Sequence, residues 1–133
     1  MDFKELYNQA LAVARPRDLS EWADAGGVGA ALLSSGGNVY MGVCIDTSCS
    51  MGFCAEHAAA AAMVTAGENR VLRMVAVDSA GTVLPPCGRC REFISQLHPA
   101  NDAAEVLVVE NRVVLLEELL PFNWRKLDRK TTQ

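Results

Sequence analysis

Three cysteines and one glutamate stand in an order that could hold a metal and move a proton. Pro86-Cys87-Gly88-Arg89-Cys90 is a Cys-x-x-Cys that opens a helical stretch, and Cys54-Ala55-Glu56 opens another one upstream. Thiols in the first turn of a helix meet the positive end of the helix dipole, which favours the thiolate that zinc requires. Three protein ligands, Cys54, Cys87 and Cys90, leave a fourth position free, the feature that separates a catalytic zinc from a closed structural one. Zinc so held makes hydroxide available near neutral pH, and Glu56, two residues from Cys54, is within reach to take that proton and pass it on. The chemistry implied is zinc-assisted hydrolysis with one Zn2+ per chain.

Two blander readings compete. A Cys-x-x-Cys alone serves equally well as a redox pair or as half of a structural zinc site. The upstream thiol and carboxylate tip the balance, because Cys-x-Glu followed by Pro-Cys-x-x-Cys is the order of residues used for hydrolytic deamination of an amino-substituted ring. A fourth soft ligand would close the site. Cys44, Cys49, His57 and His98 are the remaining candidates. None is expected to do so: Cys44 falls mid-strand, His98 at the far end of its helix, and His57 on a different side of its helix from Cys54. Three thiolates around one Zn2+ carry a net charge of minus one, and Arg91 is the expected offset, with Arg89 assigned to a surface salt bridge.

The elements that must position these residues follow from pattern. Phe3, Leu6, Tyr7, Ala10, Leu11 and Ala14 recur at helical spacing until Pro16, predicting a helix over 2–15. Val28 to Leu33 and Val39 to Ile45 flank Ser34-Ser35-Gly36-Gly37-Asn38 and predict a hairpin, led in by Gly26-Gly27. Cys54 to Ala66 is rich in Ala, Met and Val and free of Gly and Pro until Gly67, predicting a buried helix. Val71 to Val77 reads as a strand, Cys87 to Leu97 as a helix ending before Pro99, and Val106 to Val109 and Val113 to Leu116 as strands around Glu110-Asn111-Arg112. A short terminal helix is expected from about Leu116. The alternation predicts an α/β fold, a three-layer α-β-α domain around a mixed sheet, with Val71–Val77 and Val106–Val109 parallel.

Length and composition bound the rest. At 133 residues and 50% hydrophobic, the chain is read as one domain over 1–133 with its own core. The formal net charge is −4, and the basic residues are scattered apart from Arg125, Lys126, Arg129 and Lys130, read as a solvated helix end. An acidic chain without basic residues interleaved with aromatics argues against a nucleic-acid polymer as partner, and so against polynucleotide editing. No stretch reaches the roughly 18 apolar residues of a membrane span. Five cysteines, three of them in motifs, suit metal binding in a reducing cytoplasm better than a disulfide framework.

Taken together, Val28-Gly29-Ala30-Ala31-Leu32, Cys54-Ala55-Glu56, Pro86-Cys87-Gly88-Arg89-Cys90-Arg91-Glu92 and Glu117-Glu118-Leu119-Leu120-Pro121 resemble, in order, the cytidine deaminase family in its small branch with three cysteine ligands. The Pro121-Phe122-Asn123-Trp124 ending is also similar to the blasticidin-S deaminase branch. The resemblance implies a five-stranded sheet, a small-molecule substrate, and a homotetramer, or a dimer, whose sites are completed by neighbouring subunits. It further implies substrate contacts from Ala55, from a C-terminal aromatic that is Trp124 or Phe122 here, and from the second strand. There an Asn and a Glu hold the ribose in the family, whereas Cys44 and Asp46 occupy the aligned positions. Gly26 stands where the family carries an aromatic residue. A thiol cannot replace the paired donor and acceptor of an amide, so the substrate is read as a free cytosine-like aminopyrimidine, as nucleoside, base or analogue. His57 stands where the family often has an arginine, which implies a share in thiolate compensation and a site sensitive to pH near neutrality. A non-catalytic, zinc-stabilised nucleoside-binding module is the reading from a different class, and Glu56 beside an open position argues against it.

Overall fold

The first helix starts where the chain can cap it. The Asp2 carboxylate accepts the Glu5 backbone N–H at 2.9 Å while the Glu5 carboxylate accepts that of Asp2 at 3.2 Å, a reciprocal capping box that begins α1 (Phe3–Val13). The computed structural model describes residues 1–127; Arg129 and Lys130 of the basic tail lie outside them. Beyond α1 come β1 (Arg17–Ser20), β2 (Ala23–Ser34), β3 (Val39–Thr47), α2 (Ala55–Thr65), β4 (Val71–Asp78), β5 (Val83–Leu84), α3 (Gly88–Leu97), β6 (Glu105–Val109) and β7 (Arg112–Leu115).

All strands join one mixed sheet, and β4 and β6 are parallel across the α3 crossover, as expected. The sheet has seven strands rather than five. The five expected strands run β3-β2-β4-β6-β7, and two short ones extend the same rows. β1 pairs with Ala23–Ala25 on the side of β2 that β4 takes further along, and β5 pairs with Ala76 and Val77 of β4. Pattern could not reveal them, since β1 is exposed throughout and β5 has two residues. The Gly26-Gly27 passage is not a lead-in but lies inside β2, where the register with β3 shifts. Gly26 sits there at φ +90°, with Arg15 C=O against its Cα hydrogen, so no side chain fits.

The period of two along the central strands sorts two cores. Ala31, Leu33, Val75 and Val77 pack under α1 with Leu6 and Ala10, while Ala30, Leu32, Met74 and Ala76 face α2 and α3 with Ala59, Met63 and Ile94. Helices therefore cover both faces, giving the three layers expected. Each large side chain fully buried in these cores contributes roughly 1.5–3 kcal/mol.

Two features fix the helices that carry the cysteines. A Cβ on Gly42 of β3 would lie 2.6 Å from Ala58 Cβ and 2.7 Å from Ala55 C=O, so α2 lies against β3 at a distance only glycine permits. Buried Asn101 accepts the Val71 N–H at 2.7 Å and donates to Ile94 C=O at 2.9 Å and Asn69 C=O at 3.1 Å, tying the end of α3 to the start of β4. The chain after β7 is not one terminal helix. It forms two short 3-10 turns, Leu116–Leu119 and Trp124–Lys126, separated by Pro121 and by Phe122 at φ +55°. A proline one residue beyond Leu120 disfavours helical backbone before it, which ends the first turn.

Candidate metal centre and active site

Cys54 and Cys87 are the N-cap residues of α2 and α3, both with extended backbone, and neither side chain caps its own helix. The two thiols are thus free to meet each other between the helix starts. Cys54 Sγ lies 3.3 Å from Cys87 Sγ, and Cys87 Sγ lies 3.5 Å from Cys90 Sγ. All three sulfurs fall within 4.8 Å of one another and form the one such group of potential ligand atoms among the described residues. Two sulfurs bound tetrahedrally at about 2.3 Å from zinc sit about 3.8 Å apart, close to this spacing.

The protonation chemistry of the cluster fits a cation. Burial pushes the Cys90 thiol far up, the charge of Glu56 adding to it, and burial with the bond to Cys87 pushes Cys54 up. At Cys87 burial acts in the same direction, but the Cys90 backbone N–H, the neighbouring thiols and the Arg89 N–H outweigh it and hold this thiol below its ordinary value. Within the cluster Cys87 is therefore the thiol that ionises most readily. A divalent ion supplies the charge that three thiolates at this spacing require.

Glu56, in the first turn of α2, is only 4% exposed, and burial raises its carboxyl above the ordinary value. A carboxyl so shifted can both take and release a proton closer to neutrality than an exposed one. Ala55 beside it is fully buried and packs with the α2 core.

His57 corrects the sequence reading. It does not point away from the cysteines: its Nδ1 lies 3.2 Å from Cys90 Sγ, and its ring stacks on Phe93 with centroids 4.2 Å apart and planes at 16°. The spacing from Cys54 to His57 is three residues, which returns a side chain to nearly the same helix face. Burial, and next the positive charge of Arg89, lower its pKa, which moves the pH sensitivity expected near neutrality toward acid.

Arg91, the expected offset for the thiolates, makes different bonds. Its Nε donates to Pro86 C=O at 2.7 Å and its Nη1 to Leu119 C=O at 3.4 Å, bracing the loop before Cys87 against the C-terminal segment. No hydrogen bond from it to a sulfur occurs among the described residues. Arg89 forms no salt bridge among these residues either; it donates to Gly52 C=O at 3.2 Å.

The candidate substrate contacts divide. Cys44 and Asp46 share the face of β3 that Gly42 turns to α2. Cys44 is half-buried with its Sγ accepting the Val28 N–H at 3.3 Å, and Asp46 is exposed. Trp124 is 56% exposed and donates its indole N–H to the Glu92 carboxylate at 2.6 Å, on the outer side of α3. Arg125 and Lys126 continue that anchoring through Ser95 and Asp102. Phe122 is fully exposed among the described residues. Neither aromatic joins the cysteine cluster within one chain. Phe93 is the residue sequence reasoning missed; its position three residues after Cys90 was the available signal.

Residues 3–106 match the model of the cytidine and deoxycytidylate deaminase zinc-binding region. The chain belongs to the cytidine and deoxycytidylate deaminase family. A cytidine deaminase of Mycobacterium tuberculosis is 41% identical over 68 residues, 50% of this chain and 51% of that relative, so the aligned part spans about half of that relative's length. A cytidine deaminase of Halalkalibacterium halodurans is 32% identical over 97 residues, 71% of this chain and 74% of the relative. In three dimensions the crystal structure of the Mycobacterium tuberculosis cytidine deaminase superposes with a TM-score of 0.79 at 30% identity, covering 93% of this chain and 98% of that one. No helix among the described residues is long and apolar enough to cross a membrane.

Proposed function

We propose that the chain is a zinc-dependent hydrolytic deaminase that converts a free cytosine-like aminopyrimidine to its keto product with release of ammonia. The observation that carries this reading is a buried carboxyl, Glu56, whose charge reaches Cys54 and Cys90 of the three clustered cysteine sulfurs. Cys54, Cys87 and Cys90 are the residues that would hold zinc, and zinc held there supplies a water acidic enough to attack near neutral pH.

Glu56 takes a proton from the attacking water and delivers it to the ring nitrogen next to the amino-bearing carbon. The C–O bond forms and that carbon becomes tetrahedral. Glu56 then carries the second water proton to the amino group, the C–N bond breaks, and ammonia leaves as the C=O forms. A general acid-base must hold and release protons within one turnover, and the raised pKa of Glu56 suits that task.

Ala55, Cys44 and Asp46 are assigned to the substrate side of the site on the strength of the α2 and β3 faces they occupy. Phe122 is assigned to a neighbouring subunit's site in a homotetramer or dimer, because it projects from its own chain and the outward side of α2 exposes Ala61, Ala62 and Val64. Trp124 serves as an anchor on α3. The whole chain acts as one domain, in a reducing cytoplasm that keeps its five thiols free.

The test is ammonia release by the zinc-loaded protein from a panel of cytidine, deoxycytidine, cytosine, 5-substituted cytosines, amino-purines, triazines and blasticidin S, with Glu56→Gln as control. Turnover on a cytosine-like member, lost by a factor of at least ~10² in Glu56→Gln with zinc retained, is the expected outcome. An active Glu56→Gln enzyme would refute the proton role, and silence on every member with zinc bound would favour the binding module.

A further inference from the structure

α3 is pinned at its far end and strapped along its outer side. At the far end Asn69 donates to Leu97 C=O at 2.8 Å, and Asn101, which also holds β4 at Val71, donates to Ile94 C=O at 2.9 Å. On the outer side Arg91, Glu92 and Ser95 recur at the three- and four-residue spacing of one helix face, and each is bonded to the segment that follows β7. Arg91 Nη1 donates to Leu119 C=O at 3.4 Å, Trp124 Nε1 to the Glu92 carboxylate at 2.6 Å and Arg125 Nη2 to Ser95 Oγ at 2.7 Å. That segment is itself fixed at both ends. Leu116 is fully buried with its N–H on Ala104 C=O at 2.9 Å, and the Lys126 ammonium pairs with Asp102 at 3.0 Å. We infer that residues 116–126 form a clasp on α3 that sets the place of Cys87 and Cys90 relative to Cys54, with Glu92 and Trp124 as its positioning residues. The inference rests on the three cysteines being the zinc ligands.

A helix of 10 residues is about 15 Å long, and α3 carries both of its cysteines at the end opposite the Asn69 and Asn101 bonds. A pivot of about 4° around that pinned end moves Cys87 by about 1 Å, whereas zinc–ligand distances hold to within about 0.2 Å. α2 offers no compensating movement, because its contact with Gly42 of β3 leaves no slack. Bonds on the outer side of α3 oppose such a pivot. The strongest of them goes to a charged acceptor, the Glu92 carboxylate, and Gln96 donates to the same oxygen at 2.9 Å and holds it in place for the indole. Ser95, only 1% exposed, donates its hydroxyl to Glu92 C=O at 2.8 Å while it accepts from Arg125, so the clasp reaches a buried group of the helix. Arg91 extends it to the loop before Cys87 by donating to Pro86 C=O at 2.7 Å. Ligands held on two helices are only as well placed as the helices are relative to each other.

The experiment uses the full chain loaded with Zn2+ and follows transfer of the ion to a chelating dye, comparing wild type, Trp124→Phe, Glu92→Leu, Glu92→Gln and Tyr7→Phe. Trp124→Phe removes the donor and Glu92→Leu the acceptor, while Glu92→Gln keeps an oxygen for the indole N–H. Tyr7→Phe removes a bond to Gly81 C=O on the opposite face of the sheet from α3, and so reports what a loss of stability alone does to zinc release. The expected result is release roughly 10-fold faster in Trp124→Phe and Glu92→Leu, with Glu92→Gln close to wild type and Tyr7→Phe unchanged. Equal acceleration in Tyr7→Phe overturns the inference, since the effect would then follow stability. Release from Glu92→Gln as fast as from Glu92→Leu also overturns it, because the hydrogen bond would then have no part. If wild type binds no zinc, the three-cysteine reading fails first and the inference falls with it; if wild type holds zinc and Trp124→Phe and Glu92→Leu release it no faster, the inference alone falls.

Discussion

Replacing Gly42 with alanine tests how far the activity depends on a contact remote from the reacting atoms. The added methyl would sit 2.6 Å from Ala58 Cβ and 2.7 Å from Ala55 C=O, and would press closer still on the Ala59 backbone nitrogen. Carbon atoms rest at roughly 3.5–4.0 Å, so α2 must retreat from β3 by about 1 Å or the strand must bend by as much. Backbone atoms cannot swing aside as a side-chain end can. Overpacking of this kind costs about 1–3 kcal/mol, which for a domain of this size lowers Tm by roughly 3–12 °C. The same displacement carries Cys54, Glu56 and His57, all at the start of α2, and a misplacement of about 1 Å costs on the order of 10²-fold in rate. Ammonia release on the best panel substrate, zinc stoichiometry and a thermal melt are the assay. A Gly42→Ala protein that melts and turns over as wild type does would refute the claim that α2 against β3 positions the site.

Other consequences follow from single contacts. Asn101→Ala leaves the buried Val71 N–H without a partner and should lower unfolding free energy by about 1–3 kcal/mol in a denaturant titration. Glu68 is held down to about 2 from an ordinary 4.5, first by the Tyr40 hydroxyl and next by Asn38. Its folded pKa is the depressed one, so its contribution is full above the ordinary value and fades as pH falls from 4.5 through about 2. The difference in Tm between wild type and Glu68→Gln should shrink across that window, and a difference independent of pH would contradict it. Phe122→Ala should raise KM with kcat little changed if a neighbour's site uses it, whereas Trp124→Phe, which loses only the bond to Glu92, should leave KM where it is.

What the amino-acid order determined by itself is the local chemistry. The cluster of Cys54, Cys87 and Cys90, and the place of Glu56 beside it, were legible because the chemistry proposed for them needs particular atoms at helix starts, and a run of residues states both. The layer order was legible for a similar reason: Ala30 against Ala31 and Met74 against Val75 alternate between two cores, and a period of two survives in the sequence. Tertiary structure decided what distance along the chain conceals. The contact of His57 with Cys90, 33 residues apart, depends on how two helix N-termini converge. The partners of Arg91 are fixed by where the loop at Pro86 and the turn at Leu119 come to rest. The strand at Arg17–Ser20 exists through pairing with β2, without an apolar face of its own to mark it. Such features are bonds between segments, and their energy appears only when the fold has brought both partners together.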